Sequence, residues 1–266
     1  MEVSEILIFI AGIIISYLLG GVSIARLITK KESAGGINDQ GSGNPGTMNM
    51  LRTHGIFMGL FTLLCDALKG VIPALFGLLF FGNAIDIHFG YLALYVFGFC
   101  AVIGHIFPVY YKFKGGKGIA TTFGVFIVAD PITAIILFGI LFLTLYVIKI
   151  GSVVSLLFIS IAAIVQLFKM EMQDNWVAIV FMILMVLVDI YAHRQNLNRL
   201  VENKENPADL QEGLQKDIEK LKEKKQKKLE RQALKSEKID KHYDDKINKK
   251  SVKVQTKLEK INKKTN

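Results

Sequence analysis

The chain has 266 residues, 52% of them hydrophobic, and its mean hydropathy is +0.40. This composition excludes an ordinary soluble protein, because the apolar residues form long uncharged blocks that approach or exceed the roughly 20 residues needed to cross a bilayer. The net charge is +9, but residues 201–266 carry 20 of the 32 Lys and Arg and 13 of the 23 Asp and Glu. The basicity therefore belongs to the tail. The long apolar blocks predict that the rest of the chain is an all-α integral membrane protein.

Seven apolar blocks predict a seven-helix transmembrane bundle. Asp130-Pro131 divides the fourth block from the fifth, because proline disfavours helix in the residue before it. The fourth block is too short to span comfortably, so we expect it to tilt, to thin the bilayer or to be a re-entrant helix. If a single longer helix ran through Asp130-Pro131, the bundle would have one helix fewer and the parity of the predicted topology would break. The predicted helices cover residues 5–28, 56–81, 89–110, 119–129, 132–148, 152–168 and 176–191.

The charges of the loops predict the orientation of the bundle. Residues 29–55, residues 111–118 and the segment from His193 onward contain Lys and Arg, which mark cytoplasmic loops. Residues 82–88 and 130–131 contain neither. We therefore expect the N-terminus outside, the C-terminus in the cytoplasm, and all three basic segments on the cytoplasmic side.

The first basic segment contains Gly41-Ser-Gly-Asn-Pro-Gly-Thr-Met-Asn-Met-Leu-Arg52. Glycines let a backbone approach a ligand and turn its N–H groups inward. Ser42, Asn44 and Arg52 add side-chain donors suited to phosphate. This segment predicts an anion-binding loop at a membrane surface.

The second basic segment contains Gly115-Gly116-Lys117-Gly118 immediately before a predicted helix. The free N–H groups at a helix start favour an anion, and Lys117 adds a full positive charge. The spacing does not match a Walker A loop. The alternative interpretation is a basic turn at the level of the lipid headgroups.

The third basic segment begins with His193, and Asn196 lies three residues later on the same helix face. Histidine titrates near neutrality and can carry protons. A lone histidine at a helix end is more often a cap or a surface residue, so this prediction depends on the two other segments lying on the same side. Ser152 begins the sixth block at that depth, or it is a small packing residue.

Asp66 and Lys69 lie three residues apart in the second block and predict an ion pair. Charges inside a membrane are costly and point to function, although a structural pair that fixes helix packing is almost as good an explanation. Cys65 and Cys100 lack metal-ligand spacing and predict small packing residues.

Four motifs occur in order along the chain. S-G-N-P-G-x-x-N-x-x-R begins at Ser42, D-x-x-K-G at Asp66, G-H-x-F-P-V-x-x-x-F-K-G-G-K-G-x-A-T at Gly104, and H-R-x-N-x-x-R-L at His193. Any one motif is modestly specific. Together they are highly specific, and over residues 1–205 the chain resembles the PlsY-type acyl-phosphate-dependent glycerol-3-phosphate acyltransferases of bacterial membranes.

Three positions refine the resemblance. Glu205 stands where the last motif of the family tends to end in Glu. The family usually has Ala-Thr before the second Asn of the first motif, whereas this chain has Thr47-Met48, so a hydroxyl is lost or moved by one position. Asn203 stands where the family often has Gly.

The resemblance implies an active site that faces the cytoplasm in a bacterial cell membrane. The implied reaction transfers a fatty acyl chain from acyl phosphate to the sn-1 hydroxyl of glycerol 3-phosphate, giving lysophosphatidic acid and phosphate. This is the first acylation of phospholipid synthesis. No metal and no cofactor are implied, and neither acyl-CoA nor acyl carrier protein is the direct donor.

The clustering of motifs leads to a hypothesis about roles. His193, Asn196 and Lys117 take part in catalysis; His193 orients or deprotonates the hydroxyl, or a substrate phosphate oxygen takes the proton instead. Asn49, Arg52, His193 and Asn196 bind glycerol 3-phosphate. The acyl-phosphate headgroup is bound by Ser42, Gly43, Asn44, Gly115, Gly116, Lys117 and Ser152.

A transporter of small organic phosphates is the rival hypothesis, although inverted repeats are not evident. Residues 206–266 form a separate lysine-rich tail that is either an exposed charged helix or disordered. We expect this tail to contact anionic lipid or a soluble partner, not nucleic acid. We expect removal of the residues after Asn206 to leave the chemistry intact.

Overall fold

The computed structural model describes residues 2–30, 35–170, 172–205, 207 and 210–265. Residues 31–34 of the first basic segment and residue 206 at the predicted start of the tail lie outside these ranges. The regular elements of the described chain are helical, as predicted. The α-helices are α1 Val3–Gly21, α2 Ile24–Thr29, α3 Thr47–His54, α4 Ile56–Ala84, α5 Ile87–Ile106, α6 Ile119–Ala129, α7 Pro131–Ile148, α8 Gly151–Lys169, α9 Met172–Ala192, α10 Arg194–Val201 and α11 Leu210–Thr265.

Six described helices, α1, α4, α5, α7, α8 and α9, are long and apolar enough to cross a membrane, and α6 is a shorter apolar helix. The first predicted block is divided, which corrects the single helix expected over residues 5–28. The chain is extended at Val22 after α1, and the Ser23 side chain then accepts a hydrogen bond from the Arg26 N–H at the start of α2. Serine at an N-cap favours a new helix over continuation of the old one.

The division between α6 and α7 at Asp130-Pro131 confirms the predicted break. The Asp130 side chain caps α7 by accepting from the Thr133 N–H at 3.2 Å, and Pro131 occupies the first helical position. A proline there lacks only an N–H that the helix would leave unpaired. Lys169, at the end of α8, forms an ion pair with Asp130 and so ties the turn to a third helix.

Helices α4 and α6 cross in close contact through two glycines. A Cβ atom at Gly70 would lie 2.0 Å from the Thr121 carbonyl oxygen, and one at Gly124 would lie 2.0 Å from the Ala67 carbonyl oxygen. Small residues at such crossings let two backbones approach within a membrane. The contact fixes the start of α6 beside the middle of α4, where the Thr121 hydroxyl donates to the Asp66 carbonyl at 3.0 Å.

Helix α5 lies at the centre of the bundle, and more of its residues are buried than on any other described span. A cluster of phenylalanines joins it to α1 and α4, with Phe9 against Phe81 and Phe97 at ring-centroid distances of 5.4 and 5.2 Å. Large apolar side chains on the outer faces of the spans are exposed, as expected for helices whose solvent is lipid.

The chain divides into two compact units, residues 1–216 and residues 217–266. The first unit therefore extends past residue 205, where we predicted the end of the membrane domain. Helix α11 begins at Leu210, so the described part of the tail is helical. This agrees with the charged-helix alternative for the tail.

Candidate active site

A cavity with about 150 Å³ of accessible space lies where the three basic segments meet. Eight of the eleven residues predicted to bind substrate or act in catalysis line it. They are Ser42, Asn44, Asn49, Arg52, Lys117, Ser152, His193 and Asn196. The fold thus brings together residues that are up to 154 positions apart in the sequence.

Three helices begin at this cavity. Its lining includes residues 47–49 of α3, residues 119–120 of α6 and residues 151–152 of α8. The N–H groups of a first helical turn have no carbonyl partner within the helix, and the helix dipole makes that end positive. Three such ends at one cavity make a strong site for phosphate before any charged side chain is counted.

Lys117 adds a cation to the same cavity. Burial lowers the pKa of Lys117 to about 8, while Glu205 raises it and the nearby Arg199 and Arg52 lower it. A bound phosphate would favour the charged ammonium, so ligand binding and protonation of Lys117 support each other.

His193 is buried at the junction of α9 and α10, and its ring orientation is fixed by the backbone. Its Nδ1 lies 2.8 Å from the Asp189 carbonyl oxygen. Since a carbonyl only accepts hydrogen bonds, Nδ1 carries the proton and Nε2 remains as the acceptor of the neutral ring. Burial lowers the pKa of His193 to about 4, so the ring is neutral near pH 7. The residue can therefore accept a proton or a hydrogen bond from a hydroxyl.

Glu205 is a lining residue to which we assigned no role from the sequence. Its two oxygens accept from Asn196 Nδ2 at 2.5 Å and from Arg199 Nε at 3.0 Å. Burial raises the pKa of Glu205, but the hydrogen bonds from Asn196 and Arg199 outweigh this and lower it overall. The carboxylate thus balances the cations of the cavity and orients Asn196. Its place at the end of the last motif was the signal in the sequence.

Asn49 lines the cavity, but its side chain is engaged by the loop before it. Its Oδ1 accepts from the Ser42 N–H at 2.8 Å, and its Nδ2 donates to the Gln40 carbonyl at 2.9 Å. These bonds give Asn49 a structural role in holding the loop that carries Ser42 and Asn44.

Three predicted phosphate-binding glycines are absent from the cavity lining. The Gly43 N–H donates to the Gln40 carbonyl at 2.9 Å, and the N–H groups of Gly115 and Gly116 donate to carbonyls at the end of α5 at 3.0 Å each. These N–H groups shape the loops instead of pointing to a ligand. The sequence predicted a backbone cradle, whereas the structure supplies helix starts.

The predicted ion pair between Asp66 and Lys69 is present, with Lys69 Nζ at 2.5 Å from Asp66 Oδ1. Both side chains are buried, and His105 Nδ1 lies 3.9 Å from the same carboxylate oxygen. Asp66 and His105 line the cavity, whereas Lys69 does not. The pair therefore borders the site and is buried inside the bundle.

The other part of the cavity is apolar and extends between α6, α7 and α8. Along each helix the lining residues end at a phenylalanine: Phe123 on α6, Phe138 on α7 and Phe158 on α8. Phe123 stacks on Phe138 with ring centroids 4.4 Å apart and meets Phe158 edge-on at 5.6 Å. We call these three residues the phenylalanine triad. It closes an apolar channel that starts at the helix N-termini.

Comparisons with known proteins agree with this geometry. The family model described as "Glycerol-3-phosphate acyltransferase" matches residues 10–203. The chain belongs to the glycerol-3-phosphate acyltransferase family. A family member from Finegoldia magna is 36% identical over 75% of this chain and 95% of that protein, and one from Halalkalibacterium halodurans is 37% identical over 72% and 91%.

Two solved structures of PlsY, an integral membrane glycerol 3-phosphate acyltransferase, have the same fold. The glycerol 3-phosphate form gives a TM-score of 0.68 at 29% identity and covers 77% of this chain and 98% of PlsY. The lysophosphatidic acid form gives 0.66 at 30% identity with the same coverage. This chain is accordingly an integral membrane acyltransferase of the PlsY family.

The irregular pair Thr47-Met48 of the first family motif lies at the junction of the polar and apolar parts of the cavity. The buried Thr47 hydroxyl has no hydrogen-bond partner among the described residues, so it is available to a ligand. Met48 packs against Leu145 and Val154 in the apolar part. Thr47 thus brings a hydroxyl to the cavity, and Met48 extends its apolar wall.

Proposed function

We propose that this chain transfers a fatty acyl group from acyl phosphate to the sn-1 hydroxyl of glycerol 3-phosphate, giving lysophosphatidic acid and phosphate. The observation that carries this proposal is one cavity with two different parts. Its polar part joins three helix N-termini to Lys117 and Arg52, and its apolar part can take a hydrocarbon chain. The glycerol 3-phosphate and lysophosphatidic acid forms of PlsY support a substrate and a product of this class.

The acyl-phosphate headgroup binds where the channel meets the helix starts. Ser42, Asn44, Lys117 and Ser152 contact its phosphate, and the Thr47 hydroxyl is a further donor there. The acyl chain then lies along the channel toward the phenylalanine triad. Phosphate is already a good leaving group, so the protein mainly positions the two substrates and stabilises developing negative charge.

Glycerol 3-phosphate binds beside this headgroup, with its phosphate near Arg52 and its hydroxyl near His193 and Asn196. The hydroxyl oxygen attacks the acyl carbonyl carbon, and the bond from that carbon to the phosphate oxygen breaks. The hydroxyl proton passes to Nε2 of His193 or to an oxygen of the departing phosphate. Both acceptors satisfy the charge balance, since Lys117 stabilises the phosphate in either case.

We also propose that the site faces the cytoplasm of a bacterial cell with seven helices in the bundle, α6 being the short one. The charge asymmetry of the loops supports this orientation. The lysine-rich second unit is then on the cytoplasmic side, where anionic lipid attracts it.

The decisive experiment uses purified protein in detergent, where no membrane separates two compartments. Acyl phosphate with glycerol 3-phosphate should yield lysophosphatidic acid and phosphate in equal amounts, and acyl-CoA should yield neither. The Lys117→Ala variant, with Phe168→Ala as the lipid-facing control, should lose this activity. Silence of the wild-type protein in several lipids would refute the proposal and favour a transporter of organic phosphates.

A further inference from the structure

The start of the tail lies against the candidate active site, although it is outside the four motifs. We define the proximal tail as Pro207 and residues 210–216, which belong to the same compact unit as the cavity. Arg52 Nε donates to the Pro207 carbonyl at 2.9 Å. Lys216 donates to the carbonyl of Arg52, and Leu210 lines the cavity. Both ends of the proximal tail thus meet one arginine.

The contact at Lys216 follows from the way in which α3 ends. Arg52 lies in the last turn of this helix, and carbonyls of a last turn lack partners within the helix. An ammonium group at a helix C-terminus is stabilised by the dipole. Glu212, one turn earlier on α11, holds Lys216 in place at 2.7 Å.

Gly213 allows the close approach of the two helices. A Cβ atom there would lie 3.1 Å from side-chain carbons of both Leu51 and Ile56, which is tighter than ordinary contact. Leu51 precedes Arg52 on α3, so a larger residue at position 213 would push the proximal tail away from that helix. This position touches no proposed substrate contact.

We propose that the proximal tail positions Arg52 for the phosphate of glycerol 3-phosphate. An arginine held through Nε presents its terminal amino groups as a rigid fork, the geometry that matches phosphate. Leu210 meanwhile adds an apolar cover to the polar part of the cavity, which strengthens charge interactions there. This inference rests on the proposed function, because it assigns glycerol 3-phosphate to Arg52.

The test compares Gly213→Leu with Gln215→Leu, a matched change at an exposed position of the same helix. In Gly213→Leu the KM for glycerol 3-phosphate should rise roughly three- to tenfold, the scale of a weakened charge-assisted hydrogen bond. The KM for acyl phosphate and kcat should change by less than about twofold, since only one substrate loses binding. Lys216→Met should act like Gly213→Leu, and Lys216→Arg should keep the wild-type KM.

Titration calorimetry of glycerol 3-phosphate into the same full-length proteins measures binding without turnover. A wild-type protein that binds glycerol 3-phosphate but forms no product would refute the proposed reaction, while the calorimetric comparison would still test the positioning of Arg52. Equal KM and Kd values in Gly213→Leu and Gln215→Leu would overturn the inference. So would a loss of kcat that follows a loss of thermal stability, because this would indicate a packing role alone.

Discussion

At the scale of single residues, Lys117 and His193 occupy one cavity in opposite protonation states. Burial lowers the pKa of both side chains, to about 8 and about 4. Near pH 7 the lysine is therefore still mostly charged and the histidine is neutral. One can bind phosphate while the other accepts a hydrogen bond from the attacking hydroxyl.

The pKa of Lys117 predicts the basic limb of the pH profile. A lysine is charged below its pKa, so phosphate binding weakens as the pH rises through about 8. We expect kcat/KM, which reports the free enzyme, to fall there. Substrate phosphate titrates near pH 6 and does not contribute to this limb. Lys117→Arg should move the limb to higher pH; an unchanged limb would assign it to another group.

Asn49 and Arg52 lie on one turn of α3 but should respond differently to substitution. Asn49→Ala removes the side-chain hydrogen bonds that tie the loop to α3, so we expect a stability loss of about 1–3 kcal/mol and poorer kinetics for both substrates. Arg52→Ala should raise the KM for glycerol 3-phosphate by roughly tenfold or more. Thermal unfolding and steady-state kinetics separate the two. A selective effect of Asn49→Ala on glycerol 3-phosphate would return it to the substrate-binding set.

The sequence predicted most of the polar residues that line the cavity, because their types and spacing are those of phosphate chemistry. It could not predict the carbonyl bond of His193 or the partners of Glu205, because these depend on the exact geometry of the junction between α9 and α10 and of the turn that follows α10. The N–H groups of Gly43, Gly115 and Gly116 likewise donate to backbone carbonyls and not, as predicted, to a phosphate site. Whether an N–H group meets a ligand or a carbonyl depends on the path of the chain, which residue type alone does not determine.

At the scale of helices, one end of the apolar channel is set by helix starts and the other by the phenylalanine triad. From Ser152 to Phe158 the helix rises about 9 Å, which is less than the roughly 15 Å hydrocarbon thickness of one leaflet. Ala134 and Ala162 lie one turn beyond Phe138 and Phe158 and are buried. The channel thus stops within the bundle.

This geometry predicts control of acyl-chain length. Phe138→Ala should shift the preferred donor toward longer chains, because it opens the end of the channel between α7 and α8. Leu145→Phe should favour shorter chains by filling its start. Competition between acyl phosphates of different length measures the change in ratio, and a fewfold shift is expected, since each methylene is worth about 0.8 kcal/mol. Phe168→Ala should not alter it; identical profiles in all variants would contradict the prediction.

At the scale of the whole molecule, the boundary between the two units separates two roles of the tail. We expected removal of the residues after Asn206 to leave the chemistry intact, but the contacts of Pro207 and Lys216 with Arg52 indicate that the proximal tail supports the site. The family match, which ends at residue 203, gave no sign of this. Such contacts depend on the register of α11 against α3, which the weak apolar pattern of the tail did not specify.

The second unit, residues 217–266, should act only at the membrane surface. A chain that ends at Lys216 should keep the wild-type kinetic constants in detergent and lose the affinity that residues 217–266 give for anionic vesicles. Lysines near an anionic leaflet contribute about 1 kcal/mol each. Flotation of the isolated 217–266 peptide with neutral and anionic vesicles measures that contribution directly. Reduced turnover in the shortened chain would show that the second unit also serves catalysis.

The crossing of α4 and α6 at Gly70 and Gly124 limits what mutational data can reveal about this enzyme. Neither glycine lines the cavity, yet any side chain there would collide with a carbonyl of the other helix and displace the start of α6. In a scan of all substitutions, both positions should tolerate as little as Lys117 does. Intolerance to substitution in this protein is therefore expected at two kinds of position: those proposed to bind phosphate, and those where the backbones of two helices are in direct contact.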